Sequence, residues 1–302
     1  MSSPERLAAI DVGTNTVLLL IAEYQPASGL RIIEEAEDQP RLGAGLGVTG
    51  RLSPEAMERA LQSLVRMRDR CRSRGVTRVR AVATAAVREA RNGREFVRRV
   101  RDQDVPLEVI SPEAEAELAY RSAAFHFPAA RRLLVADIGG GSLELIGGAD
   151  ERIELIRSLP LGAVRLTELA LTLPELRGRV RAALGEAVLQ QEWAGSQVIG
   201  SGGTFATAAA MTQARRGSPD QSIQGAEVSR EKLEDLIGQL SEMTPEQRRR
   251  VPGLRPERSD IIVAGLVVAA ELLDGVQATS VRVNAYGLRE GLLLDLVESR
   301  EL

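Results

Sequence analysis

The chain has little of what many catalytic and structural sites are built from. It carries one cysteine, Cys71, and one histidine, His126, so disulfide frameworks, Cys/His zinc sites and Ser-His or Cys-His dyads lack the residues they need. Any metal must then be a hard cation on oxygen ligands, such as magnesium. Cys71, in RMRDRCRSRG, is expected on a helix surface, and His126, in AAFHFP, in a loop. Lysine occurs once, at Lys232, and Leu233 follows it, so no GxxxxGK[ST] phosphate loop can be written. The apolar run Ile261 to Ala270 is too short to span a bilayer. The opening MSSPERLAAIDVG reaches a strand too early for a signal peptide, and a cytoplasmic protein is expected. Net charge is only -3 over 302 residues, which argues against a molecule built to coat nucleic acid; any anion site must be local.

What is present is a chain with 44% hydrophobic residues, enough for two medium-sized domains. The pattern reads as three strands (Arg6 to Ile10, Thr16 to Glu23, Leu30 to Glu37), a helix opened by Ser53, Pro54 and Glu55, a strand VTRVRAVA, a helical stretch from Ala85 to about Arg101, a strand PLEVI and a helix from SPEAEAELAYRSAA. After HFPAARR the order repeats. Strands Leu133 to Asp137, Leu143 to Gly147 and Arg152 to Leu159 precede helices over about Ala163 to Trp193, strand QVIG, helices from Thr204 to Asp274, strand TSVRVN and a closing helix from Leu288. This is an internal duplication of architecture, with lobes expected at 1–127 and 128–302. Between Arg59 and Arg101 lie fourteen arginines against Asp69, Glu89 and Glu95, read as the solvated outer face of two helices, with a positive funnel for a polyanion as the alternative.

The duplication carries chemistry. AIDVGTNTV and ADIGGGSLEL each place an aspartate, Asp11 or Asp137, just beyond a greasy strand, then return through small residues. Glycine lets backbone N–H groups converge on phosphate oxygens, and Thr14, Asn15, Thr16 and Ser142 add side-chain donors. A carboxylate beside a phosphate repels it unless a cation intervenes, so the pattern implies Mg2+ held by Asp11, Asp137 or their waters. One such turn is an ordinary hairpin; two at matched positions point to a phosphate clamp. GLGVTG, Gly45 to Gly50, spells GxGxxG but follows the polar EDQPR, and is read as a loop.

With these residues in view, the sequence resembles the exopolyphosphatase and guanosine pentaphosphate phosphatase family, within the superfamily of actin, heat-shock ATPases and sugar kinases. AIDVGTNTVLLLIAE, ATAAVREARN, VISPEAEAELAY, DIGGGSLEL, GSGGT and YGLREG match its motifs in order. The resemblance implies an α/β fold of two ribonuclease-H-like lobes, each a mixed five-stranded sheet with helices, the active site in the cleft between them, and a last helix packing back towards the first lobe. It implies Glu115, helped by Glu144, as the catalytic base for the attacking water, Arg88 as a catalytic phosphate ligand, and Asp137 and Glu144 as metal-associated acids, with Asp11 the third metal candidate. Gly13, Thr14, Asn15, Gly139, Gly140, Gly141, Ser142, Gly202, Gly203 and Thr204 become the phosphate-binding set. Pro112 replaces the family's usual glycine and Ala114 the first of two adjacent glutamates, so Glu113 stands as the alternative base. Arg289 and Glu290 are left as a structural pair.

The activity so implied is Mg2+-dependent release of orthophosphate from the ends of inorganic polyphosphate. Longer family members carry further C-terminal helical domains, so a preference for short chains is expected here. The alternatives are a guanosine pentaphosphate (pppGpp) phosphohydrolase and a sensor that closes on an alarmone or nucleotide without hydrolysis; a sugar-kinase-like transferase would need an acceptor. Neither nucleic acid nor membrane is an expected partner, and a homodimer is left open.

Overall fold

A computed structural model describes residues 4–128, 132–149, 152–187 and 193–299. In chain order the elements are β1 (Glu5–Val12), β2 (Val17–Gln25), β3 (Gly29–Asp38), α1 (Leu46–Thr49), α2 (Pro54–Ser73), β4 (Arg78–Ala83), α3 (Ala85–Glu89), α4 (Gly93–Arg101), β5 (Leu107–Val109) and α5 (Pro112–His126). There follow β6 (Arg132–Ile138), β7 (Leu143–Ala149), β8 (Arg152–Leu159), α6 (Ala163–Thr167), α7 (Leu173–Ala187), β9 (Gln197–Ser201), α8 (Gly203–Arg215), β10 (Glu227–Ser229), α9 (Arg230–Ser241), α10 (Pro245–Arg248), a 3-10 turn at Pro256–Arg258, α11 (Ile262–Gly275), β11 (Ser280–Asn284) and α12 (Gly287–Glu298). The chain divides into two compact units: Met1–Arg121 with Leu288–Leu302, and Ser122–Gly287.

The first unit's sheet runs β3-β2-β1-β4-β5, and the second's β10-β11-β9-β6-β7-β8. Each has an antiparallel three-strand meander whose first strand also pairs in parallel with the strand after the next helices. That is the repeat read from the sequence, with one correction: the second sheet has six strands rather than five. The extra strand, β10, is three residues long, too short to show alternation, and it ends on Ser229, whose side chain accepts from Lys232 N to cap α9.

Local chemistry accounts for the elements and for where expectation failed. Ser53 Oγ accepts from Ala56 N at 3.1 Å to open α2, and Ala56, Met57, Ala60, Leu64, Met67 and Cys71 form its buried stripe. Cys71 is thus a core residue rather than a surface thiol, 3% exposed, and burial pushes its pKa up to about 11. At pH 8 only about one folded molecule in a thousand carries the thiolate. A thiol reagent should therefore label native protein slowly and denatured protein at one equivalent. The sign for stability follows: protons leave the unfolded thiol first, so this contribution holds below pH 9 and is lost as pH rises towards 11.

The expected helix over Ala85 to Arg101 is two helices. Ala90 is extended, and Asn92 turns its amide onto Leu52, accepting from its N–H at 2.9 Å and donating to its carbonyl at 3.0 Å. GLGVTG contains a single helical turn, α1, bounded by Gly45 and Gly50, both left-handed at φ 71 and 65. His126 sits in the last turn of α5 rather than in a loop, against the rings of Phe125, Phe127 and Tyr286.

The apolar run of the sequence is α11, the central helix of the second unit's core, where Leu266, Val267, Val268, Ala269 and Leu273 are fully buried. Its buried charge, Glu271, is 3% exposed and accepts from Arg177 and Arg181 of α7. No helix among the described residues is long and apolar enough to cross a membrane. The closing helix α12 packs within the first unit. Arg289 donates to Leu19 O and pairs with Glu35, and Asp295 receives Arg80 and Arg121.

Candidate active site

The two Asp-x-Gly turns have the same local geometry. Gly13 N donates to Thr16 O at 2.9 Å and Gly139 N donates to Ser142 O at 3.0 Å. Both aspartates lie inside the strand, one residue before its end, rather than beyond it, with Asp11 opposite Leu18 and Asp137 opposite Glu144. In each turn a separate segment takes up the loop carbonyls. Gly43 N and Arg41 N bond Thr14 O and Asn15 O at 2.8 and 3.0 Å; Ala163 N bonds Gly139 O at 3.0 Å, while Val164 N and Arg165 N both reach Gly140 O. Arg165 Nε adds a bond to Gly141 O at 2.8 Å. With the carbonyls so held, the amides of Thr14, Asn15 and Thr16, and of Gly140, Gly141 and Ser142, have no backbone acceptor among the described residues. Such N–H groups form an anion-binding nest. Asn15 spends its side-chain amide on Gln39, so at this position the backbone is the available donor, while Thr14 turns its methyl towards Gly43.

The second nest depends on Gly162. A Cβ there would fall 2.2 Å from the carbonyl carbon of Gly141 and 2.3 Å from Gly140 O. Gly162→Ala is therefore expected to cost about 1–3 kcal/mol of stability and to displace the nest, weakening phosphate binding. Denaturant melts and a phosphate titration on the same preparation check both.

The strand register in the second unit assembles a polar row across the sheet. Ser158 of β8 faces Glu144 of β7, Glu144 faces Asp137 of β6, Asp137 faces Ser201 of β9, and Ser201 faces Asn284 of β11. In-register neighbours share a sheet face, so these five side chains form one line at the carboxyl ends of the parallel strands, where ligands bind open α/β sheets. Glu144 is 3% exposed and accepts from Ser158 Oγ at 2.9 Å. Two carboxylates directly opposite each other repel and are destabilising unless something positive lies between them. Oxygen donors in this arrangement beside an amide nest fit a hard divalent cation. No group of three or more His, Cys, Asp or Glu side chains converges among the described residues, so phosphate oxygens and water must complete any such ion's shell. In the first unit the corresponding row is Glu37, Leu18, Asp11, Val82 and Glu108, with no second carboxylate beside Asp11.

The third glycine turn abuts this row. Gly202, at φ 87, lies so close to Asp137 that a Cβ would be 2.7 Å from Oδ1. Gly203 starts α8 directly over the guanidinium of Arg258, which is 9% exposed and pushed by burial down to about 10. Thr204 is buried against Gly265 of α11, which leaves its amide, rather than its side chain, at the turn.

In the first unit, Arg88 Nη1 donates to Glu115 Oε2 and to Ile110 O, each at 3.0 Å. Ser111 opens α5 by accepting from Ala114 N at 3.2 Å. Glu113 is exposed, and its own backbone N–H, Ser111 and nearby Arg88 hold its carboxyl below the usual range. Glu115 and Arg88 are thus joined, and Glu113 is turned towards the helix start. The arginine-rich stretch is largely neutralised: Arg66, Arg70 and Arg74 reach Asp38 and Glu34 on β3, and Arg99 reaches Glu58.

Arg165, Gly162, Ser201, Arg258 and Asn284 were not singled out from the sequence. Their only signal would have been strand register and turn contacts, which a lone polar residue does not display.

Residues 20–300 match the Ppx/GppA phosphatase family. Exopolyphosphatase 1 of Mycobacterium tuberculosis is 31% identical, over 97% of this chain and 89% of its own. Exopolyphosphatase 2 of the same organism is also 31% identical, over 96% and 98%. The crystal structure of the Aquifex aeolicus Ppx/GppA family member superposes with a TM-score of 0.82 at 30% identity, covering 99% of this chain and 100% of that one. An exopolyphosphatase structure from Cytophaga hutchinsonii gives 0.89 at 27% identity, covering 98% of each. With family motifs, strand order and relatives in agreement, the chain belongs to the Ppx/GppA phosphatase family and is a hydrolase.

Proposed function

We propose that this protein releases orthophosphate from the terminus of inorganic polyphosphate in a Mg2+-dependent hydrolysis. The observation that carries the reading is the facing carboxylate pair, Asp137 and Glu144, set beside the nest at Gly140 to Ser142. The magnesium ion would supply positive charge to the transferring phosphoryl group. The chain's own residues do the rest. The nest amides bind phosphate oxygens, as the amides of Thr14 and Asn15 do in the first unit, and Arg88 grips two oxygens of the terminal phosphate. Glu115, released from Arg88 by that phosphate, accepts a proton from a water whose oxygen bonds to the terminal phosphorus. The phosphoanhydride P–O bond breaks, its electron pair going to the shortened chain, and orthophosphate leaves. Asp11 is assigned the same cation-directed role as Asp137.

Phosphate release from polyphosphate, guanosine pentaphosphate and nucleoside triphosphates, each with and without magnesium, tests the reading. Polyphosphate should be turned over fastest and only with the ion. Turnover confined to guanosine pentaphosphate would reassign the substrate, and stoichiometric binding without release would make the protein a sensor.

A further inference from the structure

Ser201 closes β9 in register with Asp137 on one side and Asn284 on the other. It is 0% exposed, and among the described residues its Oγ has no hydrogen-bond partner. Its neighbours in the row are engaged: Ser158 donates to Glu144, while Asn284 donates to Ser122 Oγ at 2.9 Å and accepts from Gln224 at 3.3 Å. A buried hydroxyl without a partner is destabilising, and alanine would fill the same space without that penalty. The place it faces is specific. A Cβ built on Gly287 would lie 3.5 Å from Ser201 Oγ and 3.6 Å from Asp137 Oδ2, so hydroxyl and carboxylate oxygen border one small space kept clear by a glycine at φ 48.

We propose that Ser201 is a positioning residue for Asp137: with a divalent cation bound, its hydroxyl donates to Asp137 Oδ2 and fixes the carboxylate's orientation towards the ion. The inference rests on Asp137 and Glu144 being the cation's ligands. Carboxylates that ligate metals are themselves hydrogen-bonded, and losing such an outer partner weakens metal affinity about 10- to 100-fold.

The test is a titration of metal-free protein with Mn2+, followed by electron paramagnetic resonance, for wild type, Ser201→Ala and Asp137→Asn, with thermal melts in EDTA. Ser201→Ala should bind Mn2+ about 10- to 100-fold more weakly, yet melt in EDTA at or above the wild-type temperature. A structural hydroxyl would do the reverse, and a lowered EDTA melting point with unchanged Mn2+ affinity overturns the proposal. Wild-type affinity in Ser201→Ala alongside lost binding in Asp137→Asn removes Ser201's role and leaves the cation site standing. A wild type that takes up no Mn2+, or an Asp137→Asn variant that binds as tightly as wild type, overturns the cation site and this inference with it.

Discussion

Replacing Glu115 by glutamine should lower kcat for polyphosphate by about 10²- to 10⁴-fold, the range for removing a positioned general base, with little change in KM. The fold has no reason to suffer. Glutamine keeps a carbonyl oxygen where Oε2 accepts from Arg88, and Arg88 keeps its second bond to Ile110 O. What is lost is the ability to take the proton from water. Glu113→Gln is the matched control, because Glu113 lies one turn-start away with its carboxylate directed to its own N–H and Ser111. Steady-state phosphate release on both variants decides between them. A live Glu115→Gln with a dead Glu113→Gln transfers the role.

The second large effect is expected at Asp137. Asp137→Asn preserves shape while removing one charge from the facing pair, so activity at fixed magnesium should fall by roughly 100-fold or more, by analogy with the loss of a metal's supporting shell. The same change should leave the metal-free protein as stable or slightly more stable, by roughly 0.2–1 kcal/mol, since like charges directly opposite on neighbouring strands repel. Loss of activity with gain of metal-free stability is a combination that simple misfolding does not produce. Melts in EDTA and magnesium-dependence curves of phosphate release measure the two halves. If activity and its magnesium midpoint stay at wild-type values, the cation has been placed on the wrong residues.

The features legible in the sequence were those written locally. Asp-x-Gly turns declare themselves because one N–H to carbonyl bond three residues on defines each of them, at Gly13 to Thr16 and at Gly139 to Ser142. The Ser53 cap, and the strand order that follows from alternating strand and helix runs, are local in the same sense. The polar row was not legible, because Ser158, Glu144, Asp137, Ser201 and Asn284 come from five strands and meet only through register. Arg258 was invisible for a related reason: it reaches Gly203 from a 3-10 turn fifty-five positions away. Cys71 was misread although its signal was present. It lies four residues after Met67 and seven after Leu64, on the buried stripe of α2, but the arginines on either side concealed the period.

Among the positions at which the two hairpins differ, one changes what faces the strand aspartate. Seven residues after its strand aspartate, the first copy has Leu18 and the second has Glu144, each directly across from that aspartate. That difference makes the twins unequal: one copy sets two acids face to face, a repulsion that a counter-ion would relieve, and the other sets its acid against a leucine and carries no such repulsion. Exchanging the two residues, Leu18→Glu with Glu144→Leu, would ask whether the labour divided between the copies can be handed back.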